Sequence, residues 1–194
     1  MSVRTLLAFI VGLLAASPSA FAINLIANPE FSGNIDGWTV VPDGGTNGYE
    51  SYLGSPSGGS LRLEADTNHS ASAQQCVDVH RWVSIDVVLR QIKLSEYGSG
   101  NHTFKLDVFD APDCAGSILT TVAPPDTGVT VISFGYPWIE ESVYDTLLPV
   151  GSLSAKFTLR VAGGVAVSSH SGFLIDDVRV GPLDEIFIDP FEPE

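Results

Sequence analysis

Lys156-Phe157-Thr158-Leu159-Arg160-Val161 alternates polar and apolar residues without a break. Successive side chains on an extended strand point to opposite faces, so this hexapeptide presents Phe157, Leu159 and Val161 on one side. The same period recurs along the chain. Leu61-Arg62-Leu63-Glu64-Ala65 alternates, as does Val83-Ser84-Ile85-Asp86-Val87 through Leu89. Phe104, Leu106 and Val108 enclose Lys105 and Asp107, and Leu174, Asp176, Val178 and Val180 form a last alternating set. Helical periodicity is nearly absent. Turn chemistry separates the runs: Pro42-Asp43-Gly44-Gly45, Ser57-Gly58-Gly59, Gly98-Ser99-Gly100-Asn101, Pro124-Pro125-Asp126 and Gly163-Gly164. About eight or nine short half-buried strands of this kind predict an all-β antiparallel sandwich, two sheets burying their inner faces.

The ends of the chain read differently. Arg4, the apolar run Leu6 to Ala16, Pro18 and Ala20-Phe21-Ala22 follow the order of a secretory signal peptide over residues 1–22. The run is shorter than the roughly 20 residues needed to span a bilayer core, which argues against an anchor. No later segment has membrane-spanning length. Residues 23–182 then form one β domain of ordinary single-domain length. Residues 183–194 form an acidic tail. Export makes the two cysteines, Cys76 and Cys114, a disulfide candidate rather than a catalytic thiol or metal pair. Closing that loop stabilises the fold by roughly 4 kcal/mol in the chain-entropy model.

Nine basic and 23 acidic residues give a net charge of −14, and Arg4 leaves with the signal. That charge argues against nucleic acid and anionic membranes as partners. The search for catalysis is nearly empty. His69, His80, His102 and His170 are dispersed, with no H-E-x-x-H pair, and no G-x-S-x-G elbow occurs. A glycosidase needs two carboxylates flanking one bond. Glu140-Glu141 and Asp176-Asp177 are strand neighbours that point to opposite faces. The chain therefore reads as non-catalytic.

Two segments carry a resemblance. The mature start has Asn24-Leu25-Ile26-Ala27-Asn28-Pro29-Glu30-Phe31, then Gly33 and Gly37-Trp38; the domain closes on Phe173-Leu174-Ile175-Asp176-Asp177-Val178-Arg179-Val180. Together they resemble the CenC-like carbohydrate-binding modules among the galactose-binding-like jelly rolls. Pro149-Val150-Gly151-Ser152 leading into Leu153–Val161 resembles the penultimate strand of that family. Cys76-Val77-Asp78-Val79 and the stretch Phe109 to Gly116 resemble a disulfide-bearing variant in secreted bacterial proteins. The tail, with Phe187, Pro190 and Phe191 among acids, is similar to an ending found on exported bacterial proteins, which implies a processing or sorting signal; a disordered end is the alternative.

The resemblance implies a jelly roll that binds a glycan or polysaccharide. Sugar rings stack on aromatic faces, and the candidates beside loops or polar residues are Trp138, Tyr136, Trp82 and Tyr97. Trp138 leads, because Gly135-Tyr136-Pro137 before it reads as irregular backbone. Trp38 is read instead as closing one end of the core. In relatives an acid of the last strand helps hold a structural calcium with the N-terminal segment. Carried over, the ligands are Asp176 and Glu30, since Ser32 stands where the family has its acid after the Phe. Asp176 shares the inward set of Leu174, Val178 and Val180, so it must be metal-bound, paired or hydrogen-bonded. Competing roles are a structural or adhesive surface protein that lacks sugar binding and a glycoside hydrolase-associated protein.

Overall fold

The computed structural model describes residues 23–51, 58–94, 101–124, 138–164 and 171–182. The expected signal peptide (residues 1–22), the tail, Tyr97, Tyr136 and His170 lie outside the described residues. Ten strands run in the order β1 Thr39–Val41, β2 Gly48–Glu50, β3 Ser60–Ala65, β4 Ser70–Asp78, β5 Ser84–Lys93, β6 Asn101–Phe109, β7 Ile118–Val122, β8 Ile139–Leu147, β9 Ser154–Ala162 and β10 Ser171–Gly181. A short 3-10 turn, Pro112–Cys114, follows β6. The strands form two five-stranded antiparallel sheets, β1-β4-β9-β6-β7 and β2-β3-β10-β5-β8. This is the expected jelly-roll β-sandwich. β1 and β2 are three residues each, too short to show a period.

The alternation dictates the core. Phe157, Leu159 and Val161 of β9 and Phe104, Leu106 and Val108 of β6 meet Leu61 and Leu63 of β3 and Ile85, Val87 and Leu89 of β5 between the sheets. Trp38 is 8 % exposed and closes the core, its ring 5.3 Å from Phe31 and 6.2 Å from Phe157. The β1–β2 turn takes its shape from Gly44 and Gly45, at φ 77° and 68°, where a side chain is disfavoured.

Residues 23–37 form no strand of their own but are fixed by the sheets. Gln75 of β4 donates through Nε2 to the Ala27 and Gly37 carbonyls and accepts the Ala27 N–H at Oε1. Leu25 N–H donates to the Val180 carbonyl, and Val178 N–H to that of Pro29. Asn24 clamps the same edge, donating to Val178 O and accepting from Val180 N–H. The start of the domain thus takes the place beside β10 that β3 leaves when its pairing ends at Ile175.

One expected face is corrected. Leu174, Asp176, Val178 and Val180 do not share a side. Phe173 and Ile175 point into the core, and so do Val178 and Val180. The pairing of β10 with β5 shifts between Asp176 and Arg179, and Asp177 sits at φ 49°. That β-bulge inserts one residue and reverses the phase of the strand. Asp176 therefore lies with Leu174 on the face turned away from the core cluster, yet it is 0 % exposed.

Candidate functional site

The structure places two of the aromatic candidates and keeps them apart. Trp138 is half-buried immediately before β8, where Ile139 pairs with Gln91. Trp82 is half-buried in the β4–β5 turn, with its N–H on the Val79 carbonyl, and packs against the core cluster. β5 runs nearly its whole length between them, roughly 30 Å at the rise of a strand. They do not form one stacking platform. Core packing accounts for Trp82, which leaves Trp138 as the candidate at the opposite end.

The two acids differ in exposure. Glu30 is exposed, whereas Asp176 is enclosed and accepts the Asp177 N–H at Oδ1, 2.8 Å away. Asp177 binds Arg179 through both carboxylate oxygens, at 2.9 and 3.0 Å, and lies 3.7 Å from the Arg90 guanidinium. Among the described residues no three His, Cys, Asp or Glu side chains converge as a metal cluster. A calcium ion at Asp176 would draw most of its oxygens from backbone carbonyls, which suits the irregular segment alongside. Glu140 is exposed. Glu141 is partly enclosed, and burial pushes its carboxyl above the usual range against the opposing hydrogen bond from Gln91. As expected for strand neighbours, the two do not face one bond.

Sequence reading missed a cleft of about 250 Å³ beside the disulfide. Cys76 points outward from β4 and bonds Cys114 of the 3-10 turn, with Cα atoms 5.9 Å apart, so the bridge straps the β6–β7 connection across β9. Ser154 of β9 fixes the strap: its Oγ accepts the Cys114 N–H and donates to the Ala111 carbonyl. Asp113 and Cys114 both adopt positive φ, 57° and 54°, a cost the surrounding bonds must offset. Val77, Pro112 and Leu153 supply apolar wall; Asp78, His80 and Asp113 supply polar groups. The His80 backbone N–H and then its ring hold the Asp78 carboxyl below the usual carboxylate range. Among the residues lining this cleft no nucleophile is paired with a base. A disulfide candidate and a His within four residues were the available signals; the third wall came from β9, which sequence spacing does not reveal.

Comparison with known proteins shows a fold without a family. No protein-family model matches the sequence, and no curated protein matches it. Solved structures do. The module TmCBM61, solved in complex with beta-1,4-galactotriose, is 18% identical, with a TM-score of 0.51 over 82% of this chain and 98% of its own. A family 16 carbohydrate-binding module is 16% identical, with a TM-score of 0.50 over 82% of this chain and all of its own (100%). The enzymatically active domain of tailspike protein 4 from Bacteriophage CBA120 is 17% identical, with a TM-score of 0.57 over 82% of this chain; the chain spans only 21% of it. At these identities the likeness concerns architecture. The chain has the β-sandwich fold of carbohydrate-binding modules.

Proposed function

We propose that residues 23–182 are a secreted, non-catalytic carbohydrate-binding module whose partner is a glycan or polysaccharide. The observation that carries this reading is the match of the whole sandwich to modules of nearly the same extent. The disulfide fits export, and no helix among the described residues is long and apolar enough to cross a membrane. Trp138 is the stacking residue, with Tyr136 just before it, and Asp176 holds a calcium ion that ties the N-terminal segment to β10. Glycan-array binding of the oxidised domain tests the reading. Retention on at least one glycan, with no release of reducing ends, is the expected result; silence across the array overturns it. Trp138→Ala should weaken that retention about 5- to 150-fold while leaving the thermal midpoint within a few degrees, since removing one stacked ring costs about 1–3 kcal/mol.

A structural or adhesive role is the second reading. Val83, Leu147, Val150 and Leu153 are all exposed at the end of the sandwich that carries the β4–β5 and β8–β9 connections. An apolar group of that kind suits contact with another surface.

A further inference from the structure

At the end where β5 stops and β10 starts, the interior changes character. Phe173 stands opposite Lys93 across the sheet, and Ile175 opposite Gln91. Paired residues share a face, and Phe173 and Ile175 belong to the core, so Lys93 and Gln91 point inward too. They are 3 % and 2 % exposed. Ser171, two residues before Phe173, is wholly buried. From the other sheet His102 lays its ring 5.0 Å from that of Phe173.

Gln91 is hydrogen-bonded to Glu141, but several atoms of these side chains have no partner among the described residues. Gln91 Oε1, both ring nitrogens of His102 and Ser171 Oγ are shut off from solvent and have no hydrogen-bond partner among the described residues. Buried polar atoms are almost always paired, with protein or with ordered water. Four orphaned atoms along one end of the core therefore point to hydrogen-bonding groups held beside them.

The donors and acceptors select the occupant. A neutral imidazole has one donor and one acceptor nitrogen, a serine hydroxyl is both, an amide oxygen only accepts and an ammonium only donates. An anion would meet Lys93 but set lone pairs against Gln91 Oε1, in a chain of net charge −14. A cation would be repelled by Lys93 and would meet at Glu141, hydrogen-bonded to Gln91, a carboxyl whose ionisation burial opposes. An apolar group would satisfy nothing. A hydroxyl both donates and accepts, so hydroxyls spaced along this end of the core can meet Gln91 Oε1, the His102 ring and Ser171 Oγ in turn.

We propose that Gln91, Lys93, His102 and Ser171 form an internal binding site for hydroxyl groups, occupied by ordered water or by the hydroxyls of a small polyol. The site does not depend on glycan binding at Trp138.

The test is NMR of the folded, oxidised chain with ¹⁵N-labelled histidine, before and after titration with glycerol and with glucose. Cross-relaxation between water and the His102 ring N–H, with the sign of a long-lived water, is expected. Persistence of that signal in both polyols identifies water as the occupant; its loss, with saturable shifts of the ring resonances, identifies a polyol. Either result supports the site. Absence of both signals overturns it. If exchange hides the ring N–H, melting of His102→Phe and Ser171→Ala at pH 7.5 decides. Midpoints equal to or below the parent's keep the site. Midpoints raised by several degrees show orphans in a dry core and overturn it.

Discussion

His102 should make this fold acid-sensitive over a window that can be stated in advance. Although the residue keeps partial exposure, both ring nitrogens are enclosed. Burial alone lowers its pKa from 6.5 to about 4. The fold therefore holds the imidazole neutral, while the unfolded chain takes up the proton at its ordinary value. Stability from this group is complete above about pH 6.5, declines as pH falls through that value, and is lost by about pH 4. Across the window the loss amounts to about 3 kcal/mol, and at pH 5 to about 2 kcal/mol. In a domain of this size the pH 5 figure lowers the midpoint by roughly 4–8 °C. Other groups titrate nearby. Lys93 faces the same interior, its pKa lowered by burial. Glu141 has a raised pKa, so its protonation favours the fold as pH falls. The comparison with His102→Phe cancels those contributions, since Phe retains the stacking on Phe173 and cannot titrate. Chemical denaturation of both proteins at pH 7.5 and 5.0 measures the difference. The parent should lose about 2 kcal/mol more than the variant between the two pH values. Equal losses would show that His102 either binds its proton inside the fold or reaches solvent, and would refute the reasoning.

Reduction of Cys76–Cys114 should lower stability by up to roughly 4 kcal/mol, read as a lower urea midpoint in dithiothreitol and reproduced by the double Cys→Ser variant. Gly59→Ala should destabilise by about 1–3 kcal/mol, because a Cβ there would stand 2.2 Å from the Phe31 carbonyl oxygen; calorimetry measures the loss, and a midpoint equal to the parent's refutes the clash. Calcium at Asp176 should raise the thermal midpoint, and a chelator should reverse the rise. An unchanged midpoint, with no calcium in metal analysis, removes the ion and leaves Asp176 with its backbone hydrogen bond.

Much of the fold was legible because one physical signal, a period of two, carries it. β3, β6 and β9 alternate cleanly, and the sheets bury the predicted faces. β10 shows where that signal stops working. Its residues after Asp176 keep the predicted spacing, but a bulge adds a residue that hydropathy cannot register, so Asp176 moves to the other side of the sheet. Acids are ambiguous at such positions: the pattern says which residues share a face only while the backbone stays regular. The interior polar site was hidden for the opposite reason. β5 stays regular, and its inward series Ile85, Val87 and Leu89 continues into Gln91 and Lys93. An amide and an ammonium read as the end of a buried run, although the parity is unbroken. Only register, which sets Lys93 opposite Phe173, shows that the core face continues. The same holds for His102, which precedes Phe104, Leu106 and Val108 in phase. Extending an apolar series by two residues in each direction, and asking which polar side chains fall on it, would have singled out Gln91, Lys93 and His102. Polar residues in phase with a core should therefore be treated as buried until a turn or bulge intervenes, because a strand's geometry does not end where its hydrophobicity does.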